Sequence, residues 1–227
     1  MALIWILFGA IALAGWVVQA SLQSRFKKYS RIPIRNGMTG KEVAEKMLHD
    51  NGIYDVQVIS VRGQLTDHYN PQVRTINLSE PVYGSNSVAA AAVAAHETGH
   101  ALQHATEYGP LKMRSALVPV VSSTSKIVMW VILLGIIMVE TFPALLWIGI
   151  LMFALTTIFS FITLPVEKNA SDRAIQWLNS AGITDSSNHR KAVDALRWAG
   201  YTYVVAALSS LATLFYYIMI AMSGRRR

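Results

Sequence analysis

The sequence predicts an α-helical membrane protein of about four transmembrane helices that also carries a small α+β domain. Hydrophobic residues make up 53% of the 227-residue chain and charged residues only 15%, whereas charged residues make up about 25% of a typical soluble domain. The deficit is concentrated in four long runs that are almost free of charge. Between the first two runs lies a polar segment in which helical and strand periodicities follow one another.

Each apolar run is about long enough for a transmembrane helix, which needs roughly 20 residues to cross the hydrocarbon core. The first run lacks the basic start of a secretory signal, so we expect an uncleaved anchor. Lys126 interrupts the second run, and we expect it near the entering end of that span, where its side chain can reach the interface. A short turn precedes the third run. The four runs cover residues 2–20, 116–139, 144–164 and 201–222, and the turn covers residues 140–143.

These runs predict the organisation of the whole chain. It comprises a transmembrane anchor, an α+β domain, two transmembrane helices, a helical segment, and a last transmembrane helix with a basic tail: residues 1–24, 25–115, 116–164, 165–200 and 201–227. Four crossings place the two polar segments on the same side of the membrane. Those segments hold 16 of the 20 basic residues, which favours the cytoplasmic side, although the arginine triplet at the chain end argues the other way.

Capping and turn signals divide the first polar segment into helices and strands. Thr39 and Glu42 form a capping box that starts a helix, and Gly52 stops it. Alternating apolar residues then predict a strand and a hairpin, and an alanine-rich helix closes the segment. The strand covers residues 56–61, the hairpin strands 65–69 and 73–78, and the helix about 88–106, with Asn86 or Ser87 as its cap.

Composition limits the chemistry that the chain can perform. It has no cysteine, so any bound metal must rely on His, Asp and Glu. The formal charge of +7 could suggest a nucleic-acid partner, but the chain has no nucleic-acid motif and no basic helix with interleaved aromatic residues. Its basic residues flank the apolar runs, as is typical of membrane proteins. The expected partner surface is therefore a lipid bilayer and not nucleic acid.

The stretch from His96 to His100 reads His-Glu-Thr-Gly-His, which matches the H-E-x-x-H pattern. It falls inside the predicted alanine-rich helix, so the two imidazoles lie one turn apart, with Cβ atoms about 5–6 Å apart. Both can reach one tetrahedral zinc ion at about 2.0–2.1 Å. Glu97 lies beside the first ligand, where it can accept a proton from the attacking water without binding the metal. An ordinary pair of structural histidines is the alternative.

A catalytic zinc site needs a third protein ligand and an open fourth position. His104 lies on the same helix face as the motif, but its distance from the first histidine would be about 12 Å on a straight helix. We therefore expect His104 to orient another group or to pack. Glu167 follows Pro165, which we expect to start a helix, and it shares a face with Ser171. A glutamate there could equally complement the helix dipole, so spacing alone leaves the third ligand open.

Five stretches of the chain carry a resemblance to a known family. They are Leu65–Pro71, Leu78–Tyr83, Val93–His104, Leu164–Glu167 with Ala170-Ser171, and Tyr201–Tyr203. Together they closely resemble the YugP-like family of neutral zinc metallopeptidases of bacterial membranes. The resemblance implies a zincin-like catalytic domain of the gluzincin type in a bacterial cell membrane, with one Zn²⁺ per chain. It places the family's glutamate ligand on Glu167, beside His96 and His100.

Some positions depart from the family pattern. Lys168, Asn169 and Asp172 stand where an aromatic residue, an aspartate and an arginine are more common. A more distant resemblance is to prenyl-protein endopeptidases and HtpX-type membrane proteases, which usually have an aspartate four residues after the glutamate ligand. Ser171 stands at that position in this chain, so a hydroxyl would make the contact that orients a ligand.

The predicted function is a membrane-bound zinc metalloendopeptidase that acts on peptides or membrane proteins, with Glu97 as general base. A non-catalytic zinc-binding membrane scaffold is the main alternative, and a closed fourth ligand would distinguish it. A transporter is disfavoured because the apolar runs hold almost no ionisable residue. His68 or Tyr203 could stabilise the oxyanion, and the hairpin could offer an edge strand to a substrate, but ordinary structural roles stay open for each. We expect His189 at the surface.

Overall fold

Eight helices and one three-stranded sheet form the part of the chain that the computed structural model describes, residues 2–224. The predicted basic tail, residues 225–227, lies outside the described residues. In chain order the elements are α1 Ala2–Tyr29, α2 Gly40–Asp50, β1 Gln57–Val61, β2 His68–Asn70, β3 Thr75–Ser79, α3 Glu80–Tyr83, α4 Val88–Ala105, α5 Gly109–Ser125, α6 Val128–Ile137, α7 Pro143–Ser180 and α8 Ser186–Gly224.

The chain divides into two compact units. We call them the apolar unit and the polar unit, and α1, α7 and α8 each contribute residues to both. The apolar unit comprises the residues up to Val17, Lys112–Leu164 and the residues from Thr202 onward; the polar unit comprises Val18–Leu111 and Pro165–Tyr201.

Three of the described helices are long and apolar enough to cross a membrane: α1, α7 and α8. Helices α5 and α6 meet the same test together but are bent by 48° where they join, which makes four candidate spans if the pair counts as one. The break falls at Lys126 and Ile127. The single span that we expected to begin near residue 116 is thus a broken pair of helices beginning at Gly109.

The structure corrects the expectation that a helix starts at Pro165. Helix α7 continues from Pro143 to Ser180 with this proline inside it. A proline removes one helical hydrogen bond, but Val166 directly after it and Ala170 one turn later are fully buried, so packing of this face offsets the loss. The predicted helical segment 165–200 is also divided, because α7 ends at Ser180 and α8 begins at Ser186, with Gly182 at φ 66° between them.

Helix α2 begins as the sequence predicts. The Thr39 hydroxyl accepts the backbone N–H of Glu42, and the Glu42 carboxylate accepts the backbone N–H of Thr39 at 2.7 Å. One face of the helix is apolar, and Val43 and Met47 on it are completely buried in the core of the polar unit. The capping box and the helical spacing of the apolar residues therefore fix both the start and the buried face of α2.

The sheet has the strand order β1-β3-β2. Strands β2 and β3 are antiparallel, with Tyr69 opposite Ile76, so the predicted hairpin is present, but its strands cover residues 68–70 and 75–79 and not 65–69 and 73–78. Strand β1 pairs with β3 in parallel. Both Ile76 and Leu78 of β3 are completely buried, and both hairpin strands contact α4. Strand β2 is therefore an edge strand that lies beside the helix carrying the H-E-x-x-H sequence.

Helices α4 and α7 approach each other closely within the polar unit. A Cβ atom on Gly99 of α4 would lie 2.6 Å from the carbonyl oxygen of Ala170 in α7. Real Cβ atoms do not come so close to a backbone oxygen, so only glycine fits at this position. The contact brings the backbone of α7 beside the last turn of the histidine motif.

Candidate metal centre

Helix α4 holds the two motif histidines one turn apart, as predicted. Its first turn is capped by Ser87, whose Oγ accepts the backbone N–H of Ala90 at 3.2 Å. The ring centroids of His96 and His100 lie 4.8 Å apart. The alanines before the motif are almost all buried, so α4 is a core helix and the two imidazoles lie in the interior of the polar unit.

Glu167 of α7 lies against both imidazoles. Its Oε2 is 3.3 Å from Nε2 of His96 and 3.5 Å from Nε2 of His100. The side chain is buried, with a residue exposure of 4%. Among the described residues, these three form the one group of His, Cys, Asp or Glu side chains whose ligand atoms all lie within 4.8 Å of one another. The structure thus brings together the three residues predicted as metal ligands.

The separations between these atoms fit a small tetrahedral cation. Ligand atoms about 2.05 Å from a zinc ion lie roughly 3.3–3.4 Å from one another in a regular tetrahedron. The two nitrogen-to-oxygen distances at the site are 3.3 and 3.5 Å. Two imidazole nitrogens and one carboxylate oxygen are also a donor set that zinc prefers, with one position left for water or substrate. The residues present therefore fit a zinc ion.

Gln103 fixes the orientation and the tautomer of His100. Its Nε2 donates to the backbone carbonyl of Val166 at 2.8 Å and to Oδ1 of Asn169 at 3.0 Å. The amide oxygen of Gln103 therefore faces Nδ1 of His100, at 3.0 Å. Because a carbonyl oxygen only accepts hydrogen bonds, Nδ1 of His100 must carry the proton. In the neutral ring, Nε2 then presents a lone pair towards Glu167.

A lone pair on Nε2 facing a carboxylate oxygen is repulsive unless a proton or a cation lies between them. Protonation of Nε2 places such a proton between the two atoms. Burial of His100 disfavours its charged form, but the hydrogen bond to Glu167 and the negative charges of Glu97 and Glu167 outweigh burial and raise the pKa of the imidazole above its ordinary value. A metal cation bound between Nε2 and the carboxylate would remove the same repulsion.

Ser171 makes the corresponding contact to the other histidine. Its Oγ lies 3.1 Å from Nδ1 of His96. The predicted contact between a hydroxyl and a ligand is thus present. Since a serine hydroxyl can donate or accept, this contact orients the His96 ring without fixing its tautomer. Lys168 next to the glutamate is exposed and forms an ion pair with Asp172, away from the three ligand atoms.

Glu97 is held by the edge strand of the sheet. Its Oε2 accepts the backbone N–H of Tyr69 in β2 at 3.0 Å. The residue is buried, with 8% exposure, and it is not part of the group of three ligand atoms. The hydrogen bond fixes one oxygen of this carboxylate, next in the chain to His96.

The remaining candidates are not members of the group of three ligand atoms. Nδ1 of His104 is 2.8 Å from the Tyr69 hydroxyl, so this histidine helps to hold β2 on α4. His68 is exposed, and its Nδ1 contacts the carbonyl of Thr66. Tyr203 belongs to the apolar unit. His189 is half-buried and contacts the Thr184 hydroxyl, so the expectation that it lies at the surface was only partly correct.

Sequence reasoning assigned no role to Gln103 or to the Tyr69 backbone amide. The available signal for Gln103 was a polar residue three positions after a histidine predicted to bind metal. The side chain is completely buried, and buried polar side chains require partners. No comparable signal exists for the amide, because every residue except proline carries one.

Comparison with known proteins extends these observations to the whole chain. The profile of a family described as "Putative neutral zinc metallopeptidase" matches residues 4–222. The chain is 42% identical over 225 residues to a Bacillus subtilis (strain 168) protein named "Putative membrane protease YugP", and the match covers 99% of both chains. No solved structure matches the chain. All three ligand residues and Glu97 lie inside the matched range.

Proposed function

From its membership of the neutral zinc metallopeptidase family, to which the chain belongs, we propose that this protein is a membrane-bound zinc endopeptidase. His96, His100 and Glu167 would hold the metal, and Glu97 would act as the general base. The observation that carries the proposal is the convergence of two Nε2 atoms and one Oε2 atom on a single position, with Glu97 beside them.

Each residue has a distinct task in the proposed hydrolysis of a peptide bond. A bound zinc ion lowers the pKa of water and polarises a carbonyl group. Glu97 takes the proton from the attacking water and passes it to the leaving amine. The Tyr69 N–H holds one oxygen of that carboxylate at 3.0 Å, which leaves the other oxygen for the proton. Gln103 and Ser171 keep the two imidazoles aimed at the metal.

The position of β2 supports a peptide as the substrate. One edge of this strand pairs with β3, and the opposite edge runs past Glu97. An extended peptide can lie along such an edge, which is a common mode of peptide recognition, although the Tyr69 amide there is already engaged by Glu97. The bond to be cleaved would then lie beside the general base.

The apolar helices support a location in the bacterial plasma membrane. Three described helices are long and apolar enough to cross it, or four with the bent pair. The distribution of basic residues favours the cytoplasmic side for the polar unit. Peptides and membrane proteins that reach this side of the bilayer are the proposed substrates.

A non-catalytic zinc scaffold is less well supported by the site. Such a site would close the fourth metal position with another side chain. The two suspects, His104 and His68, are engaged elsewhere by Tyr69 and Thr66. Within the described residues the group has three members, which is the number typical of a catalytic zinc centre.

Substitution of Glu97 separates metal binding from catalysis. In Glu97→Gln we expect the zinc content of the wild type but a rate of peptide cleavage lower by about 10²-fold or more, because general-base catalysis is lost. In His96→Ala we expect both zinc and activity to fall. Zinc per chain, measured by elemental analysis, and cleavage of a peptide library, measured by mass spectrometry, test both statements. Cleavage by Glu97→Gln at the wild-type rate would show that this carboxylate is not the base.

A further inference from the structure

The polar unit contains a cavity that does not include the proposed metal ligands. Its volume is about 640 Å³, and neither Glu97 nor any of the three ligand residues lines it. The wall is formed by the end of α1, the loop before β2, and the segment from the end of β3 to the start of α4. Cavities of this size bind small ligands in other proteins, yet the proposed hydrolysis does not use this one.

The cavity lies where α1 leaves its uncharged stretch. Residues 2–24 carry no charge, and they are about 34 Å long as a helix, enough to cross a hydrocarbon core of roughly 30 Å. The part of α1 that lines the cavity begins at Leu22 and reaches Lys27, and Arg31 directly after the helix also lines it. If α1 crosses the membrane as proposed, the cavity opens at the depth of the lipid headgroups.

The mouth of the cavity is positively charged. Lys27 and Arg31 line it, both are exposed, and neither has an acidic partner among the described residues. No acidic residue precedes Glu42 in the whole chain. The acidic residue in the wall is Asp67, which accepts the backbone N–H of Ser79 at 2.7 Å and its hydroxyl at 3.0 Å. The two cations are therefore available to a negatively charged ligand.

One part of the wall suits a hydrocarbon chain. Leu22, Phe26, Leu65 and Val82 line it together with Pro81. Leu65 is 63% exposed and has a φ of 58°, a left-handed conformation that is unfavourable for a residue other than glycine. Exposure of this leucine side chain to water is unfavourable, and an apolar ligand in the cavity would cover it.

We propose that this cavity binds an anionic phospholipid of the surrounding bilayer. The phosphate contacts Lys27 and Arg31, and one acyl chain lies against Leu22, Phe26 and Leu65. The position of the cavity along α1 matches the headgroup region of the bilayer. The two cations match the phosphate, and the apolar residues match an acyl chain. The inference rests on the proposed membrane insertion of α1, but it is independent of the proposed peptidase activity.

Native mass spectrometry of the full chain, released from micelles doped with phosphatidylglycerol or phosphatidylcholine, tests the proposal. We expect the protein to retain phosphatidylglycerol and to lose phosphatidylcholine. Lys27→Ala with Arg31→Ala should lower retention by about tenfold or more, because basic residues near the surface supply the attraction to anionic lipid. Lys28→Ala with Arg35→Ala removes the same charge from exposed positions outside the cavity wall and should retain the lipid.

Leu65→Asn tests the apolar part of the site. Asparagine tolerates a positive φ but offers no hydrocarbon contact, so we expect weaker retention with an unchanged fold. Zinc content and the thermal unfolding temperature of each variant check the fold. The same measurement on Glu97→Gln should show wild-type lipid retention, which separates this proposal from the catalytic one.

Four outcomes would overturn the proposal. Equal losses in the two double variants would indicate general attraction to a basic surface. Equal retention of phosphatidylcholine would show that the site does not select charge. Displacement of the lipid by inorganic phosphate alone would show that Lys27 and Arg31 bind a free anion. Displacement by substrate-like peptides, whether basic or apolar, would show that the cavity binds the substrate.

Discussion

Arg173 supports the position of the proton on His100 through two intervening side chains. A guanidinium group can only donate hydrogen bonds, so the Asn169 atom that it contacts at 2.9 Å must be the oxygen. That oxygen also accepts from the Gln103 amide nitrogen, which turns the amide oxygen of Gln103 to His100. Asn169 thus supplies the oxygen that this chain of contacts needs.

Replacement of Gln103 tests the importance of this chain. In Gln103→Leu we expect zinc affinity to fall by about 10-fold or more, because His100 loses the partner that fixes its ring and tautomer. Competition with a chromogenic chelator measures the affinity. His104→Ala is the matched control on the next position of the same helix, and we expect it to bind zinc as the wild type does. Equal affinities for Gln103→Leu and wild type would contradict the positioning role.

At the scale of residues, the sequence predicts functional side chains whose spacing along the chain fixes their relative positions. His96, Glu97 and His100 are visible because a helix fixes their geometry. Glu167 stays ambiguous from spacing alone, because its role depends on which helix it approaches, and the family resemblance was needed to select it. Gln103 is not predicted at all, since its role exists only where the carbonyl and amide groups of α7 surround it.

At the scale of elements, the contact between α4 and α7 is the feature on which the site depends. Gly99 packs against the backbone of Ala170, three residues after the glutamate ligand in the same helix. Any side chain at Gly99 must push the two helices apart, and the shift would separate the carboxylate from the imidazoles.

The variant Gly99→Ala should therefore lose both stability and metal affinity. Overpacking of this kind costs about 1–3 kcal/mol, and we expect a lower unfolding temperature together with weaker zinc binding. Gly200→Ala is a matched control in α8, where an added Cβ would meet nothing within 4 Å. Removal of a glycine from a helix interior there should stabilise the protein by about 0.5–1 kcal/mol. Wild-type unfolding and zinc binding in Gly99→Ala would disprove the close contact.

The elements themselves are largely predictable, and their ends less so. The capping box of α2, the hairpin and the alanine-rich helix follow from local signals that tertiary packing reinforces. Pro165 misleads because its local preference for a helix start competes with the burial of Val166 directly after it and of Ala170 one turn later. Packing prevails, and α7 continues as one helix from an apolar segment into the polar unit.

At the scale of the whole molecule, the number of crossings decides whether the ligands can share one compartment. An even number of spans between α4 and the end of α7 returns the chain to the side from which it left. The broken pair α5 and α6 must then count as one span, which length and composition allow.

Thiol labelling can test this topology, because the chain has no cysteine of its own. Single cysteines at the exposed positions Tyr54, Thr141 and Arg190 would report on three segments. With an impermeant reagent on intact spheroplasts, we expect Thr141→Cys to react, and the other two to react only after the membrane is opened. Opposite behaviour of Tyr54→Cys and Arg190→Cys would place the predicted ligands in different compartments.

The shortness of β2 has a consequence for how the enzyme would select what it cleaves. The strand has three residues, and the outward amide of its central residue, Tyr69, is already occupied by Glu97. A bound chain would therefore gain very little from ladder pairing, and a freely diffusing peptide would leave quickly. Substrates anchored in the same membrane would reach the edge of β2 at a high local concentration. Confinement of the substrate to the membrane would thus compensate for the weak binding that so short a strand provides.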